Sequence, residues 1–325
     1  MTNNAARSLG DAGNPDGMSG RTSSLRVRRE PGLLPTGLLA AAFALFGCGC
    51  VHAATGPDPR MTEALELEES GVVAIGTSLD GDPSHITLCS GALVAPNLVL
   101  TARHCVSRSI TSTPSCDARG RSHNGAHLAD DADPSLIGVY LGAQVRVERD
   151  LPRAHAIKTL HPTGQILCDA DVAFLVLDRP LSGVAVLPMR LNAPVSSGEW
   201  VRPVGFGGGV SNTIGNRARR DRSTVLAVGP SANVDTGAVL GPREFEVDRA
   251  TCRGDSGGPA LDMQTGEIVG VVSRGGSCSV EGNHVYTRVD AYARLAQMAF
   301  REAERATREN VAANNVVPLA MPPAP

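Results

Sequence analysis

Apolar residues along this chain come in short runs divided by polar stretches rich in turn formers, the pattern of strands and turns. Val72–Ile75 and Ile86–Val94 are two such runs, separated by the polar loop Thr77–His85. Pro96 and Asn97 turn the chain into Leu98–Thr101, which stops at Ala102-Arg103-His104-Cys105. Asp171–Leu177 sets a carboxylate at the head of an otherwise apolar run, and Ile268–Ser273 and His284–Val289 are the last predicted strands. The helical period appears near the end of the chain. Asp290 is placed to cap a helix reaching about Asn310, with Tyr292, Leu295 and Ala299 on one face. From Val311 the composition turns to Ala, Pro and Asn and predicts disorder. Between Val106 and Ser135 the chain is polar, and longer than a compact connection should be. Its Asp130-Asp131-Ala132-Asp133 run invites a calcium reading, but the acidic spacing matches no known calcium loop, so a solvated loop is expected and no metal is assigned.

Composition narrows the class. The 325 residues are 42% hydrophobic and 19% charged, enough for a core and too apolar for global disorder. That length fits one large or two small domains. Aromatic residues are only 3% while Gly numbers 36 and Pro 22, which favours short strands and turns over helices. A formal net charge of −3 implies no nucleic-acid or anionic-membrane partner.

Residues 1–54 read as an export segment: Arg26, Arg28 and Arg29 precede an apolar stretch, Leu33–Phe46, too short for a stable membrane span. Met18 is a second candidate start. Two processing readings stay open. Val51-His52-Ala53 fits a small-x-small site before Ala54, whereas Leu45-Phe46-Gly47-Cys48 partly resembles a bacterial lipobox and would place a lipid anchor at Cys48. Either one puts the mature chain outside the cytoplasm: secreted, periplasmic or on the outer surface. Residues 55–70 read as a linker or pro-segment.

The chemistry concentrates in Thr251-Cys252-Arg253-Gly254-Asp255-Ser256-Gly257-Gly258-Pro259. A serine in a tight glycine-rich turn can sit where successive N–H groups aim at one point, which an oxyanion requires. A lone serine hydroxyl is a poor nucleophile, so a base and its orienting acid are sought upstream. Leu98–Cys105 ends on His104, and Asp171 heads its apolar run. Burial there would demand a partner for the carboxylate, a stronger position than the flanking Asp169 or Asp178. The three motifs, in the order His, Asp, Ser, resemble the boxes of trypsin-like (chymotrypsin-fold) serine proteases of the bacterial secreted type. That family is itself the worked example of the triad mechanism, so roles are carried over by resemblance.

The resemblance implies an all-β fold, two Greek-key six-stranded barrels with the active site between them and a C-terminal helix. The domain would span 71–310, with barrels at about 71–186 and 200–289, the helix at 290–310 and a disordered tail at 311–325. Val139–Ala143, Ile157–His161 and Val201–Gly207 match family strands, and Leu187–Glu199 is the expected crossing between halves. His104 would be the general base, Asp171 its orienter, Ser256 the nucleophile, and the N–H groups of Gly254 and Ser256 the oxyanion hole. Ser273 would hydrogen-bond near Asp171. The substrate pocket would carry Ala250 at its base, Thr251 beside it, and Gly275 and His284 as walls, with Arg253 and Arg274 at the rim. No carboxylate awaits a Lys or Arg side chain, so a small or acidic residue before the scissile bond is expected. The implied bridges are Cys89–Cys105, Cys116–Cys168 and Cys252–Cys278; the mature chain has no Cys-x-x-Cys pair for zinc.

The partner is a protein or peptide substrate, and no cofactor is implied. The family's Ile-Val-Gly-Gly amino terminus, which pairs with the aspartate before the serine, is absent; cleavage after Arg60 would put Met61 in range of Asp255. Arg217, Arg219, Arg220 and Arg222 are read as a solvated loop. A catalytically inactive binding module on the same barrels is the alternative of another class. A nucleophile-elbow esterase has the opposite triad order.

Overall fold

The computed structural model describes residues 65–82, 84–109, 114–208, 213–220, 222–249, 251–275 and 282–314. The expected export segment, Cys48, Met61, Ala250 and Cys278 therefore lie outside the described residues.

The first half contains β1 (Val72–Thr77), β2 (Thr87–Ala95), β3 (Leu98–Thr101), β4 (Ser107–Ser109), β5 (Leu128–Asp131), β6 (Ile137–Tyr140), β7 (Ala154–Leu160) and β8 (Ala173–Leu177). Antiparallel pairing in the order β1-β2-β3-β8-β7-β6, with β6 returning to β1, closes a six-stranded barrel. Alternation along the strands decides which residues fill it. Val73, Ile75, Val99, Ile137, Val139, Leu175 and Leu177 form one buried cluster. Their neighbours Val72, Ala74, Leu98, Leu100, Phe174 and Val176 belong to a second cluster, shared with the other half and the C-terminal helix.

The second half contains β9 (Trp200–Gly205), β10 (Ala218–Arg219), β11 (Ser223–Val228), β12 (Ser231–Ala232), β13 (Val239–Leu240), β14 (Glu244–Val247), β15 (Pro259–Asp262), β16 (Ile268–Gly275) and β17 (His284–Arg288). The order β9-β11-β14-β17-β16-β15 closes through β15–β9 pairing into a second six-stranded barrel, with β10 paired to the C-terminal end of β9. Its core is Val201, Val225, Phe245, Val247, Ala260, Val269 and Tyr286, the two rings stacked at 5.2 Å.

The C-terminal helix spans Ala293–Asn314, past the expected end and into the predicted tail. Tyr292, Ala296, Ala299, Ala303 and Ala306 lie buried at helical spacing against the first barrel, and Leu295 is partly buried beside them. Asn97 Nδ2 donates to the Ala303 carbonyl at 2.9 Å. Asp290 does not cap this helix: its carboxylate is bound by the Arg288 guanidinium, and the preceding single turn has no side-chain cap.

The polar region after His104 is tied down more than its composition suggests. Cys116–Cys168 closes a disulfide across it, and Cys89–Cys105 links β2 to the turn at His104. Asp131 accepts from Ser107 Oγ at 2.5 Å and pairs with His161 Nε2 at 2.6 Å, while Asp133 caps a short turn by accepting from the Ser135 N–H at 2.9 Å. Asp131 and Asp133 thus bind protein donors.

Candidate active site

β3 ends and a single helical turn, Arg103–Cys105, carries His104 out of the first barrel's rim. The turn is braced from both sides. Cys105 is disulfide-bonded to β2, and the Arg103 guanidinium bonds the carbonyls of Pro162 and Gly164. Arg103, bulky where the family box has a small residue, therefore serves as a buried tie.

Asp171 sits just before β8 and is fully buried. One carboxylate oxygen accepts the His104 backbone N–H at 2.9 Å; the other accepts from His104 Nδ1 and from Ser273 Oγ, each at 2.7 Å. Burial alone disfavours the Asp171 anion, but the His104 imidazole, its hydrogen bonds and Ser273 hold the pKa below the usual carboxylate range. Burial likewise opposes the His104 cation, and the adjacent carboxylate more than offsets it, leaving the imidazole pKa raised above 6.5. Nδ1 is committed to Asp171, which leaves Nε2 as the nitrogen that can exchange protons.

Ser256 belongs to the other barrel, yet its loop is seated on β2 and on the turn that carries His104. The Ser256 carbonyl accepts from the Ser90 N–H at 2.8 Å and meets Cys105 Sγ at 3.5 Å. Gly257 follows with φ +78°, and a Cβ there would overlap the Thr101 hydroxyl and the Ser90 carbonyl. Only glycine lets the turn approach β3 this closely. Ser90 Oγ donates to the Gly254 carbonyl at 2.8 Å and accepts the Phe206 N–H at 2.9 Å, a second tie between the halves.

Within the turn, the N–H groups of Asp255, Gly257 and Gly258 bond the carbonyls of Cys252, Val272 and Asp255 at 3.0, 2.9 and 2.8 Å. Those of Gly254 and Ser256 donate to no protein acceptor among the described residues. Nor do the Ser256 hydroxyl and His104 Nε2 have hydrogen-bond partners there. Such bonds commonly tighten only when substrate is bound.

The specificity residues are only partly gathered. Thr251 is buried, and its N–H donates to His284 Nδ1 at 3.3 Å while its hydroxyl lies 2.8 Å from the same nitrogen. Accepting at Nδ1 assigns the ring proton to Nε2. Gly275 pairs with His284 across β16 and β17, against the Asn283 carbonyl. Arg274 is not at the rim. Its guanidinium turns away to both oxygens of the fully buried Glu244 and to the Val239 carbonyl at 3.0 Å. Arg253 is exposed.

The arginine-rich loop is solvated only in part: Arg219 and Arg222 are exposed and Arg217 and Arg220 half-buried, yet the chain around them is engaged by protein groups. Arg219 pairs with Glu69 at 3.0 Å, Arg202 with Glu68 at 3.1 Å, and Arg222 stacks over Trp200 at 4.0 Å. The acidic turn at 65–69 is thereby docked on the second barrel. Arg220 reaches Asp255, whose counter-charge the family pattern would draw from a new amino terminus. No spacing pointed to Arg220, Glu244 or Ser90, because each acts across the fold: Ser90 and Gly254 are 164 residues apart. Asp169 and Asp178 stand apart from His104, against Arg243 and Arg179. Among the described residues, the one cluster with metal-type donors, Cys89, His104 and Cys105, cannot offer thiolates because its cysteines are joined as a disulfide. Cys252 is disulfide-bonded as well, to a residue outside those described.

Two closed antiparallel barrels with a serine turn from one against a His–Asp pair from the other define the chymotrypsin-type fold class. The family profile named Trypsin matches residues 74–296, and the chain belongs to that family. It is 28% identical over 201 residues to the cercarial protease of Schistosoma mansoni, covering 58% of this chain and 71% of that one. It is 30% identical over 226 residues to the serine protease SP24D of Anopheles gambiae, covering 66% and 72%. Among solved structures, a scabies mite inactivated protease paralogue superposes with a TM-score of 0.53 at 19% identity, over 73% of this chain and 96% of that one, a likeness of fold. These relatives support a protease function. No helix among the described residues is long and apolar enough to cross a membrane.

Proposed function

We propose that the protein is an exported serine endopeptidase that cuts peptide bonds through an acyl-enzyme on Ser256. The observation that carries this reading is the His104–Asp171–Ser273 hydrogen-bonded set, with the Ser256 turn pressed on it and two N–H groups unengaged. Ser256 Oγ attacks the carbonyl carbon and its proton passes to His104 Nε2. The C–N bond then breaks as that proton moves to the departing amine. Water, deprotonated by the same nitrogen, cleaves the ester and restores the hydroxyl. Asp171 keeps the ring in the tautomer with Nδ1 protonated and stabilises the cation formed on the way. The Gly254 and Ser256 N–H groups receive the oxyanion, where losing one donor typically costs about 2.7–4 kcal/mol.

Before the scissile bond we assign a small or acidic side chain, with Lys and Arg disfavoured. The Thr251–His284 pair supports this, together with Ala250 at the position of the pocket base in the family's pattern. A serine-directed phosphonate should label wild type on Ser256 and leave Ser256→Ala unlabelled; a folded wild type that resists the probe sinks the enzyme reading. Because the His104 pKa is raised, kcat/KM should rise with pH through a midpoint above 6.5. A peptide library decides the preference, and strong cleavage after Lys or Arg would end it. The second reading, an inactive binding module, is kept in view by the inactivated relative with the same fold. The full His104, Asp171 and Ser256 set speaks against it here.

A further inference from the structure

The carboxylate of Asp255, next to the reactive serine, is almost fully buried on the reverse side of the oxyanion turn. It accepts the Gly207 N–H at 2.7 Å, the Cys252 N–H at 2.8 Å and the Arg220 guanidinium at 2.7 Å. Arg220 also reaches the Gly207 carbonyl at 3.2 Å, and its own N–H is fixed to the Pro203 carbonyl at 2.8 Å. Gly207 has no room for a Cβ, which would run into this carboxylate. Among the described residues, the Tyr286 hydroxyl, buried among β14, β16 and β17, also faces the pair. Burial and the Asp255 charge keep that phenol protonated well into alkaline pH, with Arg220 opposing them.

We infer that Arg220 is the built-in positioning residue for the oxyanion turn, so that this chain needs no newly cut amino terminus to become active. The inference rests on the protease reading of the same site. A buried carboxylate beside Gly254 and Ser256 must be neutralised or the turn will rearrange to reach solvent. One guanidinium and two N–H donors already neutralise it. An incoming ammonium would stand beside Arg220, two cations on one anion, and like charges that close disfavour each other. The neighbouring chain is also engaged elsewhere: Glu68 and Glu69 hold the segment at 65–69 to Arg202 and Arg219, not to Asp255.

The two ways of holding Asp255 differ in a property that can be measured. An α-amine loses its charge near about pH 8, a lysine near about 10.4, and an arginine only above about 12. An arginine lock therefore survives at alkaline pH where an amine lock opens.

The test compares the full wild-type chain with Arg220→Lys and Arg220→Met, reading kcat and KM against pH and hydrogen exchange in the peptide spanning the Ser256 turn. Wild type should keep its kcat/KM from about pH 8 to about pH 10, whereas Arg220→Lys should be active at neutral pH and fail near about pH 10. Arg220→Met should lose roughly 10²–10³-fold in kcat, the scale of one lost oxyanion donor, with KM much less affected and faster exchange in the turn. Should Arg220→Met not fold, wild type and Arg220→Lys still decide through their alkaline limbs. A wild-type limb that falls near about pH 8, or an Arg220→Met protein with unchanged kcat and exchange, overturns the inference. Full-length Arg60→Gln, shown uncut by mass spectrometry, should match wild type in kcat; a large deficit points to the cut terminus instead. If wild type resists the phosphonate probe, the protease reading fails separately, and exchange in the turn still judges the lock: opening in Arg220→Met supports it, no change overturns it.

Discussion

The two barrels are closed by the same kind of antiparallel pairing, yet they are held together by different physics. The six barrel strands of the first half contain no buried charged residue; their interior is Val, Ile, Leu and Ala. Its one fully buried carboxylate, Asp171, waits at the mouth for His104. In the second half, β14 alone buries Glu244 and Glu246, β15 buries Asp262 and β17 buries His284. Each of these acids is bonded. Glu244 takes Arg274 and the N–H groups of Asp169 and Gly241; Glu246 takes Asn233 Nδ2 at 2.9 Å and the Asn283 N–H at 2.6 Å; Asp262 takes Arg190 at 2.7 Å. Apolar packing is non-directional and tolerates adjustment, whereas a buried ion pair fixes particular atoms against each other. The half that carries the serine turn is the half with buried, bonded acids inside its strands. Its elements are thereby located relative to one another more narrowly than packing alone would require, at the expense of burying charge.

The largest effect that would sharpen this contrast is at the mouth of the first barrel. Asp171→Asn should lower kcat by about four orders of magnitude, the value for this position in the family's own template. Fold and Ser256 labelling rate should be followed together, since a loss confined to stability would put Asp171 in the scaffold and not in the chemistry. Next comes the ion lattice of the second barrel. Arg274→Met strands Glu244 and should cost about 3–5 kcal/mol in urea denaturation, whereas adding Glu244→Gln, which removes the charge and keeps an acceptor for the buried N–H groups, should recover part of it. If the single variant is near neutral, the second barrel is not held by its ions.

A matched cut in the first barrel, Leu175→Ala, should cost about 2–5 kcal/mol through lost burial and a cavity, with no partner substitution able to restore it. The smallest effect concerns Asp169, two residues before Asp171, whose carboxyl is pushed up to about 6 by burial, with the neighbouring Glu244 adding to the shift and the Arg243 N–H opposing it. Its folded pKa exceeds the unfolded 3.8, so its favourable contribution is complete below 3.8 and is lost as pH rises through about 6. Asp169→Asn keeps an oxygen for the Arg243 N–H and tolerates the residue's φ of +63°. The variant should therefore gain stability over wild type between acid and neutral pH. Equal urea midpoints for the two proteins at both ends of that range would count against a titrating Asp169.

Within the sequence, local chemistry was legible wherever neighbours in the chain are neighbours in space. Alternation in Val72–Ile75, Leu98–Thr101 and Asp171–Leu177 marks strands because side-chain direction is set residue by residue. The strings around His104, Asp171 and Ser256 carry enough local constraint, a glycine turn or an acid heading an apolar strand, to point to the family that the profile match shows. Only the tertiary structure decided what each long side chain meets. Arg274 faces Glu244, Arg219 holds Glu69 while staying exposed, Asp290 binds Arg288 and does not cap the helix, and Arg220 supplies a counter-charge to Asp255. The reason is physical. A guanidinium on its flexible stem selects a nearby carboxylate, and for Arg274, Arg219 and Arg220 that nearness is created by the fold between residues tens of positions or more apart, a distance no local pattern encodes.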